Sequence, residues 1–283
     1  MTTPLHEQML TVAPGRALHV TTRQAEAPVT LFFVHGGGGN KNQWRRQFAH
    51  FLPQHVNIVA WDAFGHGKSQ RSKREQDFSA DAFLRDFSFI FEKFRTEKTI
   101  IIAHSFGCRI TLAWLLQVWT RRHVLPVDGL VLLGPAPHEN KRRGLFGNWM
   151  DHLPLPVMEI LRPQLGRRFE ALAWHPGTDP ALLAFERNAT RHNSLFMMRS
   201  LLRQGPVFPA AALKALPAVP VTLIAGAHDG IVPHSTVEKL ADSLPGAEVH
   251  TLDECAHQIM LEKPDEVNML TDAMLARVNA GRA

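Results

Sequence analysis

The chain has 283 residues, a formal net charge of +5 and 45% apolar residues. That length accommodates one large core or a core with a lid. Two cysteines, Cys108 and Cys255, are too few for a disulfide framework and read as small buried thiols. No apolar stretch approaches the ~20 residues of a membrane span, and Met1–Glu7 lacks the charged start and apolar core of a signal peptide, so a soluble cytoplasmic protein is expected.

In chain order, Gln8–Val12 and Ala17–Thr21 form a hairpin across Pro14-Gly15. Alternating apolar strands and helical runs follow, the pattern of a mostly parallel, doubly wound α/β sheet with helices on both faces. The strand Thr30–Val34 runs into His35-Gly36-Gly37-Gly38-Gly39. Without side chains, that turn lets backbone N–H groups come close to a substrate oxygen, and Gly37 N–H is the expected donor. His35 is expected to order the turn without transferring a proton. The strand Asn57–Trp61 precedes Asp62-Ala63-Phe64-Gly65-His66-Gly67-Lys68-Ser69.

The most informative stretch is Ala103-His104-Ser105-Phe106-Gly107, between the apolar run Thr99–Ile102 and the amphipathic run Cys108–Trp119. That context is strand, sharp turn, helix. Small residues two positions either side of the serine let strand and helix approach, and the turn lifts the hydroxyl above the sheet. Ser105 therefore reads as a nucleophile, and Phe106 N–H, opening the helix, reads as a second oxyanion donor. Taken alone, such a turn is equally an ordinary capped junction. Segments elsewhere supply what a nucleophilic serine needs. Val219–Ala225 is a buried strand ending in Gly226-Ala227-His228-Asp229, so Asp229 is the candidate orienting acid. His257 lies between the strand Glu248–Leu252 and a helix opened by Pro264, and is the candidate base. His104 and His228 adjoin the nucleophile and the acid and are expected to pack or hydrogen-bond locally. Glu139 is the one alternative acid.

Between the strand ending at Gly134 and Val219 there is no strand pattern. Helical runs fall at Trp149–Leu161, Gln164–Trp174, Pro180–Arg191 and Ser194–Arg203. Residues 135–216 are therefore assigned to a helical cap, with 1–134 and 217–283 as the core. From His138 to Leu216 there are 11 Lys or Arg against 6 Asp or Glu, so the whole charge excess sits in the cap. It reads as a solvated surface or, more sharply, as attraction toward anionic substrates or an anionic membrane surface, tested at Arg142 and Arg143. Leu145, Phe146, Trp149, Met150, Phe185, Phe196, Met197 and Met198 pack the cap, and some of them line an acyl pocket. No compact aromatic and basic motif points to nucleic acid. Sixteen histidines form no H-E-x-x-H or tight ligand cluster, so no metal or other cofactor is expected.

The order Ser105, Asp229, His257 together with the glycine turn resembles the α/β-hydrolase fold family over nearly the whole length, from about Gln8 to the last helix. Ala103, where the family more often has glycine, is the one departure. Residues Asp62–Ser69 resemble its D-x-x-G-x-G-x-S turn, whose Asp62 and Ser69 are expected to satisfy backbone N–H groups. The resemblance implies a serine hydrolase acting on a small-molecule ester or thioester with an apolar acyl part. Related enzymes with an aspartate nucleophile and cap tyrosines do not fit Ser105 and a chain without tyrosine. Carbon–carbon bond hydrolases, acyltransferases, perhydrolases, hydroxynitrile lyases and a low-turnover ligand sensor remain compatible with the same triad.

Overall fold

The computed structural model describes residues 3–135 and 153–281. Glu139, Arg142, Arg143, Leu145, Phe146, Trp149 and Met150 lie outside the described residues. Eight strands form one sheet: β1 (His6–Ala13), β2 (Arg16–Arg23), β3 (Val29–Val34), β4 (Asn57–Trp61), β5 (Lys98–His104), β6 (Gly129–Leu133), β7 (Val221–Gly226) and β8 (Ala247–Leu252). Their spatial order is β1-β2-β4-β3-β5-β6-β7-β8. The hairpin β1–β2 is antiparallel and β2 meets β4 antiparallel, while every pair from β4 to β8 is parallel.

The sheet is covered on both faces, as a parallel sheet must be to hide its apolar strands. Along β3, alternate side chains go to opposite layers, Phe32 and Val34 to one, Leu31 and Phe33 to the other. The first layer takes α2 (Ala80–Phe94), α3 (Phe106–Arg122) and α8 (His234–Ala241). In α2 the buried Phe83, Phe87, Ile90, Phe91 and Phe94 recur at helical spacing, and the Ser79 side chain accepts from Ala82 N–H to start the helix. The second layer takes α1 (Arg45–Phe51), α9 (Ile259–Glu262) and α10 (Pro264–Ala280), opened by Pro264. Phe33 centres that layer, with the rings of Trp44 and Phe48 5.4 Å away and that of Phe51 at 6.3 Å.

The long interval between β6 and β7 carries α4 (Leu155–Ala173), α5 (Pro180–Thr190), α6 (Leu195–Gln204) and the short α7 (Ala210–Leu213). The sequence predicts two helices broken near Pro163, whereas α4 runs unbroken through it. Pro163 and Glu159 are both exposed, and on an exposed helix face water can satisfy a carbonyl left unpaired by a proline. Asp179 and Ser194 cap α5 and α6 through their side chains.

Among the described residues no helix is long and apolar enough to cross a membrane. Phe33→Ala tests the central packing. Emptying a fully buried ring position costs about 3 to 5 kcal/mol, so the urea midpoint falls well below that of the parent at an unchanged slope, and an unshifted midpoint contradicts this account of the layer.

Candidate active site

Residue Val34 of β3 pairs with Ala103 of β5, so the chain leaving each strand at its carboxyl end emerges beside the other. One exit is the glycine turn and the other is Ser105. Ser105 has φ 51° and ψ −113°, a backbone conformation that costs a non-glycine residue of order 1 to 3 kcal/mol. The surroundings hold it there. Ser105 N–H donates to Leu133 O of β6 at 2.9 Å, and α3 begins at the next residue. Gly107 is required by close approach: a Cβ there would lie 2.5 Å from Val34 O and 2.8 Å from His35 O, both backbone atoms that cannot yield. Ala103 is fully buried and its methyl group is accommodated.

The acid and base arrive from the next strands. Asp229 follows β7, and its Oδ1 accepts from Ile231 N–H and Val232 N–H at 2.8 Å each. Its Oδ2 lies 2.7 Å from His257 Nδ1. A carboxylate oxygen only accepts, so Nδ1 carries the proton and Nε2 faces Ser105 Oγ, 2.9 Å away, with its lone pair free to accept. The side chains of His257 and Asp229 are 4% and 1% exposed, which keeps water from competing for these bonds. Ser105, Asp229 and His257, expected from sequence to act together, are thus brought into one hydrogen-bonded chain. Gly37 and Phe106 are also brought together, since a Cβ on Gly37 would stand 3.4 Å from Phe106 Cβ. Neither Gly37 N–H nor Phe106 N–H donates to any acceptor among the described residues.

Three further histidines singled out from sequence have defined places. His35 donates from Nδ1 to Gly36 O at 2.7 Å and accepts Ala63 N–H at Nε2, tying the glycine turn to the loop after β4. His104 departs from the local role expected of it: its Nε2–H donates 2.8 Å across to His257 O, while its Nδ1 is buried without a partner. His228 sets its ring against His175, with centroids 4.8 Å apart. His66, not singled out, accepts Gly38 N–H at Nε2, 3.1 Å away. Asp62 and Ser69 satisfy backbone donors as predicted, Asp62 from Lys41 and Lys68 and Ser69 from His19, all at 2.8 Å. Both cysteines are free and buried, and burial pushes their thiols up, away from thiolate chemistry.

Sequence reasoning missed the ties that hold the base loop. His257 N–H and Gln258 N–H both donate to Ala173 O, the last residue of α4, and Gly230 N–H donates to Leu172 O. Glu262 accepts Ala256 N–H at 2.9 Å on one oxygen, and His175 N–H and Thr178 Oγ–H at 2.6 Å each on the other. Nothing in the sequence around Glu262 signals these bonds. No group of three or more His, Cys, Asp or Glu placed to hold a metal occurs among the described residues.

A profile of the alpha/beta hydrolase fold matches residues 29–264. The chain belongs to that family. Protein ABHD8 of Homo sapiens is 29% identical over 273 residues, covering 93% of this chain and 60% of that protein, so the chain spans about three-fifths of this curated relative's length. A 2-hydroxy-6-oxo-6-(2'-aminophenyl)hexa-2,4-dienoic acid hydrolase of Metapseudomonas resinovorans is 25% identical over 278 residues, 91% of this chain and 88% of its own. The esterase EaEST from Exiguobacterium antarcticum matches in fold, with a TM-score of 0.80 at 17% identity over 97% of this chain and 100% of that one.

Burial dictates a pH dependence. It lowers the pKa of His35 to about 4 and of His66 to about 3, and puts His104 well below its ordinary value, so all three are neutral in the folded chain. Unfolding returns each to about 6.5. Between those values the unfolded chain binds protons the folded chain does not, so stability present above pH 6.5 is lost as pH falls toward 3. At pH 5 the loss is about 2 kcal/mol for each of His35 and His66. Urea midpoints should fall between pH 7 and pH 5, and His66→Asn should flatten that slope. A midpoint constant over this range would contradict it.

Proposed function

We propose that the chain is a serine hydrolase that cleaves carboxylic esters or thioesters with an apolar acyl part through an acyl-enzyme on Ser105. The observation that carries this reading is the continuous Ser105–His257–Asp229 chain, at 2.9 and 2.7 Å, beside two backbone N–H groups without acceptors among the described residues. In this reading His257 Nε2 takes the Ser105 proton as Oγ attacks the carbonyl carbon. Asp229 holds Nδ1–H and stabilises the imidazolium. Gly37 and Phe106 N–H groups receive the oxyanion, each worth about 10²- to 10³-fold in rate. The leaving alcohol or thiol departs with the proton from His257. Water then attacks the acyl-enzyme with His257 again as base, and Ser105 leaves protonated.

The apolar acyl preference rests on what the helices between β6 and β7 turn toward the site. Leu201 Cδ1 comes within 3.7 Å of where a Cβ on Gly37 would stand, and Met198 Sδ within 3.2 Å of that on Gly38. Met197 is buried against the loop after β4, and Phe196 meets Phe78 edge-on with centroids 6.0 Å apart. These residues make the segment a cap over the core. Phe185, by contrast, is 54% exposed under the Arg45 guanidinium. A second reading, hydrolysis of a carbon–carbon bond beside a ketone, is favoured by the name of the Metapseudomonas resinovorans relative. The same nucleophile and oxyanion donors serve both.

A fluorophosphonate should label Ser105, and Ser105→Ala should abolish labelling and ester turnover while the fold persists. Asp229→Asn should lower kcat by about four orders of magnitude through loss of the correct imidazole tautomer. Labelling at another serine, with full activity in Ser105→Ala, would sink the reading. Turnover of a dienoic-acid ketone in preference to acyl esters would select the second reading.

A further inference from the structure

Four consecutive glycines, Gly36 to Gly39, lose more conformational freedom on ordering than any other four residues. An oxyanion donor accelerates a reaction only if it is set before charge develops. The run therefore needs holding from outside, and two side chains converge on Gly38, whose φ is 76°. His66 Nε2 accepts its N–H from the core side. Asn193 Nδ2 donates to its carbonyl from the turn between α5 and α6. Asn193 is itself fixed, its N–H donating to Thr190 O at 3.0 Å and its carbonyl accepting from Arg162 Nη1 of α4 at 2.9 Å.

The bond from Asn193 does not end at Gly38. The Gly38 carbonyl and the Gly39 N–H belong to one planar peptide, and Gly39 N–H donates to Gly36 O at 3.1 Å. Gly36 O in turn shares a planar peptide with Gly37 N–H. Two rigid planes joined by one hydrogen bond thus connect the Asn193 amide to the Gly37 N–H. A shift of Asn193 tilts the first plane, and the second turns with it.

We propose that Asn193 is a positioning residue for the oxyanion turn, through which the helices between β6 and β7 set the direction of Gly37 N–H. This rests on the reading of Gly37 as an oxyanion donor. The acyl pocket and the oxyanion site are then completed by the same segment, and a cap displaced from the core leaves Ser105 with only its Phe106 donor fixed.

The test is Asn193→Asp, which keeps the shape but removes the donor, alongside Asn193→Ala. Both should lower kcat on a short acyl ester about 10-fold, less than outright loss of a donor, with KM within twofold and an unchanged thermal midpoint. Affinity for a trifluoromethyl ketone, whose adduct carries the oxyanion, should fall by the same factor as kcat/KM. Amide hydrogen exchange of the peptide spanning 36–39 should quicken while the sheet peptides stay as in the parent. Parental kcat in both variants, a loss confined to KM, or unchanged exchange at 36–39 would overturn the proposal. Absence of ester turnover and of Ser105 labelling in the parent chain would count against the hydrolase reading instead, and the exchange measurement would still decide whether Asn193 orders the turn.

Discussion

The parallel pairing of β3 with β5 is the constraint from which the rest of the site follows. Because Val34 faces Ala103, the glycine turn and the Ser105 turn leave the sheet as neighbours. A slip of one residue in that register would put every side chain of one strand on the wrong face. It would move Phe33 out of the ring cluster around Trp44 and Ser105 away from the glycines at once. The same packing that hides apolar surface therefore fixes the relative position of hydroxyl and amides. The strained backbone at Ser105 persists because strand pairing on one side and α3 on the other leave it no alternative.

The helices between β6 and β7 are joined to the core through hydrogen bonds at functional loops as well as through apolar contact. The carbonyls at the C-terminal end of a helix have no partners within it. In α4 two of them, on Leu172 and Ala173, are satisfied by N–H groups of the Asp229 and His257 loops. Glu262 then ties the base loop to the turn that follows α4. At the opposite side, Asn193 reaches the glycine turn and Arg109 donates to the carbonyls of Gly205 and Pro206, where the chain returns to α3. The segment is thus hydrogen-bonded to the loops that carry Asp229 and His257 and to the glycine turn.

What could be read from sequence were features carried by short stretches. An apolar run followed by a turn residue gives a strand end, and three such ends, those of β3, β5 and β7, precede Gly37, Ser105 and Asp229. His257 was legible because the strand before it and Pro264 after it bracket a short loop. Residues whose role depends on a distant partner were not legible. His104 reads as a local residue, yet its hydrogen bond spans to His257 O on another strand's loop. Glu262 and Asn193 carry no local signal of the backbone groups they hold. The continuity of α4 through Pro163 escaped for a related reason: helix breaking was inferred from the residue, while its cost depends on whether water reaches the freed carbonyl.

The three buried histidines around the site also limit its chemistry. His35, His66 and His104 are held neutral by burial, and the Nε2 atoms of His35 and His66 are engaged as acceptors of backbone N–H groups. Among the described residues none of them has a carboxylate bonded to it as His257 does, so none gains a partner that would stabilise its imidazolium. His257, by contrast, has both nitrogens bonded within the site, Nδ1 to Asp229 and Nε2 to Ser105. The neighbouring rings act as neutral struts that order the glycine turn and the base loop without competing for the proton. The side chains beside the glycine turn are apolar: Leu201 and Phe106 stand against Gly37, and Met198 against Gly38.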